Sequence, residues 1–448
     1  MNRIAPRVLC ISSLLYVFAV AAWMVTQPMP ALQDLGEWVF QAVVMLRLLN
    51  PSSPFHSQFA WVHMPVPNML SQFFLMGGVW AFGPFWAARL LVVIYCGAAV
   101  WICGRAAKRF APESPAPLFV LLLGIAAFNS CFWHGYMNFQ IALLLLLLYL
   151  ELTQEKAPDA ALVFGFSVVL FCCHASMFAA FVLIVVAREW GRVDRGRIYA
   201  SLLPSMGLLG FYLWQRERKL STIAHSHFGS LTTHLAYKGY TLLKLGPFHN
   251  FVIANGQSAK RVPALYVGGI ALNVVFFCCL LAVVWIGVRR LLREHRLSQP
   301  TLLVWGALSL LFLLLPSDLA EVVNLGERFL LLLVVLMLLA MGQREEPSQA
   351  RLELAAAWLY ILGFVLTVAQ LPAASLPGAS APEAFHHEPE KTGRAYASDG
   401  LFSNRLYQND ERRIELRDDA AQVAPLLFDT GLLVNLREPP DSYQDASK

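Results

Sequence analysis

Charge is scarce in this chain: Asp, Glu, Lys and Arg make up 14% of its 448 residues, hydrophobic residues make up 57%, and the mean hydropathy is +0.55. A water-soluble domain of that length needs far more charge on its surface, so that class is excluded. Metal-ligand patterning is lacking too. Cys10, Cys96, Cys103, Cys131, Cys172, Cys173, Cys278 and Cys279 lie in or at the ends of apolar runs and are not spaced with histidine as ligands are, so neither a zinc site nor a disulfide framework is indicated. The net charge of +5 is dispersed over short loops rather than gathered in a patch, which argues against nucleic acid as a partner and for topology signals. There is no convincing tandem repeat.

What is present is a series of apolar runs near the roughly 20 residues that cross about 30 Å of hydrocarbon, the mark of an all-α, polytopic transmembrane helical bundle. Residues 8–26 follow Arg3 and Arg7 without a clear small-residue cleavage site, and are expected to be a retained helix rather than a signal peptide. Basic clusters at Arg105–Arg109, Arg188–Arg197 and Arg289–Arg296 place those turns on the cytoplasmic side, with the N-terminus inside. About 10–13 membrane helices result over residues 1–371, with long outer loops at 27–67 and 215–262. The bases of the second loop oppose the charge rule; they are either a solvated face or a cradle for an anionic headgroup. Residues 68–82 are apolar but stop at Gly83-Pro84, where proline ends a helix, so an interfacial or re-entrant helix is expected there. Residues 160–187 are too long for one upright span and precede arginines, so a hairpin folded near His174 is expected. Residues 372–448 are expected to be a small soluble tail on the outer side.

Polar residues in this setting need a reason to be there. The loop Gln33-Asp34-Leu35-Gly36-Glu37-Trp38 sets two carboxylates three residues apart beside a span. One reading makes Asp34 an N-cap and Glu37 its N3 partner, worth on the order of 1 kcal/mol. The other makes Asp34, with Glu37 as second candidate, the catalytic acid–base group. The turn 129–139 mixes Asn129, His134 and Asn138 with aromatics, and an interfacial aromatic belt explains only the aromatics. His174 is either a satisfied core residue or an intramembrane ionisable group with a task. Arg328 starts an apolar helix after a polar turn; it pairs either with Asp318, Glu321 and Glu327 or with a ligand.

A short inner N-terminus, an acidic first outer loop, a proline-broken helix and a helix hairpin with a polar outer turn together resemble the GT-C superfamily of membrane glycosyltransferases, over roughly residues 3–371. The resemblance implies transfer of a sugar from a polyprenyl-phosphate-linked donor to a glycan, lipid or protein acceptor of the envelope, on the non-cytoplasmic face of a bacterial inner membrane. It implies Asp34 as catalytic base, His63 in the start of an interfacial helix, His174 in the outer hairpin turn and Arg328 at the carrier phosphate, with His134 and Asn138 as further substrate contacts. The usual adjacent acidic pair is absent, since Gln33 and Leu35 flank Asp34. No metal ligand set or firm cofactor is implied, although a divalent metal is compatible with such enzymes. A transporter or flippase, or a non-catalytic scaffold of an envelope-polysaccharide assembly, remains the alternative. Transporters place their polar groups near the midplane, whereas here they gather at one face.

Overall fold

A computed structural model describes residues 4–26, 32, 34–53, 59–61, 66–193, 195–220, 231–249, 263–316, 318–319, 322–323, 325–342, 347–371 and 433–435. The protein is a helical membrane protein. Helices Ile4–Thr26, Pro84–Phe110, Val267–Arg293 and Gln349–Gln370 are long and apolar enough to cross a membrane, and Leu70–Phe82, Pro115–Ala127, Met137–Leu152, Ala160–Cys173 and Gln299–Leu314 are shorter apolar helices. At about 1.5 Å per residue the shorter helices reach less than the roughly 30 Å of a bilayer core, so fewer elements span by length than the apolar runs suggested.

The helices are α1 (Ile4–Thr26), α2 (Leu35–Arg47), α3 (Leu70–Phe82), α4 (Pro84–Phe110), α5 (Pro115–Leu122), α6 (Ser130–Trp133), α7 (Met137–Leu152), α8 (Ala160–Cys173), α9 (Ala175–Glu189) and α10 (Arg195–Leu220). They continue with α11 (Leu231–Leu243), α12 (Pro263–Arg293), α13 (Gln299–Leu314), α14 (Leu325–Met341) and α15 (Pro347–Gln370). Two antiparallel strand pairs accompany them, Phe59–Trp61 with Leu433–Asn435 and Asp318–Leu319 with Val322–Val323. Most of residues 372–448 lies outside the described residues.

The breaks between helices follow from the residues at them. Gly83 adopts φ +81°, open to glycine at little cost, and Pro84 then sits at the first position of α4, where its missing N–H is no loss. The 160–189 stretch does fold back. His174 is extended between α8 and α9, and at the far ends Arg188 donates to the Thr153 hydroxyl at 2.8 Å and the Thr153 carbonyl at 2.7 Å, at the start of the turn that leads from α7 to α8. The second long loop is not open coil throughout: α10 runs on to Leu220, and 231–243 is helical.

Arginines collect at one end of the bundle. Arg105 Nη2 donates to both Glu151 oxygens at 2.9 and 3.0 Å. Arg109 pairs with Glu155 at 2.6 Å, and Arg290 donates to the Met341 carbonyl at 2.8 Å. These contacts join the C-terminal ends of α4, α7, α12 and α14, where cations also complement the helix dipoles. The core between the two ends is aromatic, with Tyr16 stacked on Phe364 at 3.9 Å and edge-on to Phe128 at 5.4 Å. The opposite end, where α7 and α14 begin, holds the polar residues.

Candidate functional site

That polar end is built on the strand of chain between α5 and α7. After α5 the helix widens into a π-helical turn, Leu123–Ala127, closed by Phe128 N–H donating to the Leu123 carbonyl at 2.8 Å. Such turns are frequent at functional sites. Asn129 then caps α6, its Oδ1 accepting from the Cys131 N–H at 2.8 Å and the Phe132 N–H at 3.3 Å. Asn129, which an aromatic belt leaves unexplained, is thus accounted for by capping.

Gly135, at φ +79°, turns the chain into α7 and lets the start of α2 dock on it. The Asp34 N–H donates to the His134 carbonyl at 3.1 Å, and a Cβ on Gly135 would stand 2.7 Å from the Asp34 nitrogen. Gly135→Ala is therefore expected to cost about 1–2 kcal/mol from the left-handed backbone alone. It should also push Asp34 off its seat. Thermal unfolding of the purified variant measures the first effect and substrate turnover the second, and an unchanged midpoint contradicts the docking.

Asp34 stands at the N-cap position of α2, but it lies in the α-region and its side chain makes no capping hydrogen bond. Capping therefore does not account for this acid. Its carboxyl is half-buried, and burial raises it from the ordinary carboxylate range to about 7, the positive charge of Arg328 pulling part of the way back. Beside it, His134 is held by a 2.5 Å contact from Nδ1 to the Ser130 carbonyl and stacks on Tyr136. Burial, aided by the charge of Lys244, pushes this imidazole down to about 4, so it is neutral at pH 7.

Arg328, in the first turn of α14, is 6% exposed. Its Nη1 donates to His174 Nε2 at 2.5 Å, which leaves the His174 proton on Nδ1, facing the Ser176 hydroxyl at 2.8 Å. The guanidinium stands over the rings of Tyr136 at 4.9 Å and Phe139 at 5.6 Å, while its buried Nε has no hydrogen-bond partner. Among the described residues no carboxylate is within ion-pair distance of it. Glu327 points elsewhere, to the Ser130 hydroxyl and to Lys244 Nζ at 2.6 Å. The local network expected for Arg328 with Glu327 is thus not formed; the side chains of Asp318 and Glu321 lie outside the described residues.

The structure brings Asp34, His134, His174 and Arg328 to one end of the bundle. Asn138 is there as a tether: its amide accepts from the Ser71 N–H at 3.0 Å and donates to the Asn68 carbonyl at 2.9 Å, fastening the start of α3 to α7. Both ends of that amide are used, so a substrate contact is not its evident task. His63 and the side chain of Glu37 lie outside the described residues. The sequence reading missed the Glu327–Lys244 pair, whose members are far apart in the chain. It also missed that Lys238 donates to the Leu315 carbonyl at 2.6 Å. These lysines of the second loop neither lie on a solvated face nor wait for a headgroup; they tie α11 to the ends of α13 and α14. His249, buried beside the same group, is pushed down to about 3 by burial and by the charge of Lys244. Among the described residues no three His, Cys, Asp or Glu side chains are placed to hold a metal. The chain matches no family model, no curated protein and no solved structure.

Proposed function

We propose that this membrane protein is a glycosyltransferase of GT-C type, moving a sugar from a polyprenyl-phosphate-linked donor to an acceptor hydroxyl or amine of the cell envelope. The observation that carries the reading is a non-capping carboxyl, Asp34, that feels the charge of a buried guanidinium, Arg328, which among the described residues has no carboxylate within ion-pair distance. Asp34 takes the acceptor proton as the acceptor atom attacks the anomeric carbon. The bond from that carbon to the phosphate oxygen breaks, and the departing phosphate carries the electron pair away. Arg328, whose buried Nε has no hydrogen-bond partner, stabilises the negative charge that develops there. Neutral His174 fixes the guanidinium by accepting from Nη1 without competing for the anion.

In this reading the arginine-lined end faces the cytoplasm, as basic clusters do in bacterial inner membranes, and the Asp34 end faces outward, together with the C-terminal tail. The test is transfer of label from a lipid-linked sugar donor to acceptor by the purified protein. Movement of the lipid across a vesicle without bond cleavage favours a flippase instead, and overturns the proposal.

The pH profile of transfer follows from Asp34. A base whose carboxyl is raised to about 7 is protonated below that pH and inactive, so turnover should fall about tenfold per unit on the acid side and level off above about 7. A profile flat from pH 5 to pH 8 removes Asp34 as the base.

A further inference from the structure

A cavity of about 600 Å³ opens at the arginine-lined end, remote from Asp34 and Arg328, between α7, α9, α13 and α14. Its depth is apolar, walled by Leu150, Ile184, Trp305, Leu336 and Leu339. Its mouth is polar and cationic, formed by Lys156, Arg188 and Arg192 with the Ser298 and Thr301 side chains at the start of α13. The acids at the mouth are matched: Glu155 pairs with Arg109 at 2.6 Å and Glu189 with Arg192 at 2.5 Å. The surplus positive charge therefore belongs to exposed Lys156 and to exposed Arg188, which its two bonds to Thr153 hold in place. Trp101, Trp190 and Trp285, each more than half exposed, lie near Arg105, Arg188 and Arg289 in the chain and mark this level as the headgroup region of a leaflet.

We propose that this cavity binds one acidic glycerophospholipid from that leaflet, its phosphate at Lys156 and Arg188 and an acyl chain along Trp305, Leu336 and Leu339. A soluble anion would gain nothing from the apolar depth, and a neutral lipid nothing from the cationic mouth. Between-helix pockets of this composition are where membrane proteins take up anionic headgroups. The site is separate from the transfer reaction and stands whether or not that reaction is correct.

The experiment is native mass spectrometry of the full chain released from phosphatidylcholine nanodiscs into which phosphatidylglycerol is titrated. One phosphatidylglycerol per chain is expected to be retained. Lys156→Gln with Arg188→Gln should weaken retention about 25-fold, the loss of two interfacial cations at roughly a factor of five each. Leu336→Trp, which fills the apolar depth and leaves the cations in place, should also abolish retention, so that a folding defect of the Arg188 variant does not decide the matter alone. Arg289→Gln, an exposed arginine at the same level but outside the cavity, should leave retention unchanged. An equal loss in Arg289→Gln, or full retention in Leu336→Trp, overturns the proposal in favour of diffuse surface attraction. Displacement by millimolar inorganic phosphate overturns it in favour of a simple anion site.

Discussion

Asp34→Asn is expected to abolish sugar transfer by a factor on the order of 10²–10⁴ while leaving the protein folded and in the membrane at normal abundance. Asparagine keeps the size of the side chain and is as good a helix cap as aspartate, so any capping contribution to α2 would survive the change. The carboxyl makes no such cap in any case: the residue adopts a helical backbone conformation and its side chain accepts no hydrogen bond from the α2 amides. What holds this residue in place is its backbone N–H on the His134 carbonyl, which the substitution does not touch. Activity should therefore fall without a matching fall in the unfolding midpoint. Wild-type turnover in Asp34→Asn would remove this residue from the chemistry, and Glu37 would become the candidate to test.

Replacing Arg328 is expected to act on the donor rather than on the acceptor. Arg328→Ala removes a buried cation whose side-chain hydrogen bond goes to neutral His174, and should raise the donor concentration needed for half-maximal transfer by on the order of 100-fold. Arg328→Lys keeps the charge but loses the planar fork that reaches His174 and a phosphate together, so it should recover only part of the loss. The neighbouring acid gives the contrast. Glu327 is 2% exposed and faces Lys244, so Glu327→Gln breaks a buried charge pair and should destabilise the fold by about 3–5 kcal/mol with an unchanged donor requirement. If Glu327→Gln reproduced the donor defect of Arg328→Ala, the two residues would be acting as one ion-pair network and the phosphate assignment would fail.

The amino-acid sequence by itself determined the membrane class, because so few charges over so long an apolar chain leave no other solvent for it. It also determined where helices stop. Gly83-Pro84 breaks the chain for reasons internal to those residues, and a run of 160–187 beside arginines could satisfy both bilayer thickness and charge only by folding back at His174. Which polar residues gather at one end was readable as well, since Asp34, His134, His174 and Arg328 all sit at helix ends of matching direction. The partners of those residues were decided only by the tertiary structure. Helical periodicity says which side of its own helix a residue occupies, but not which helix will lie against that side. Glu327 and Arg328 are adjacent and point apart, one to Lys244 from a distant segment and the other to His174. Asn138 proved to be a tether because α3 packs against α7, and Asp34 proved not to be a cap because the turn at Gly135 receives its backbone. A buried polar group takes whichever partner packing brings within about 3 Å, and that choice is made between helices, not along them.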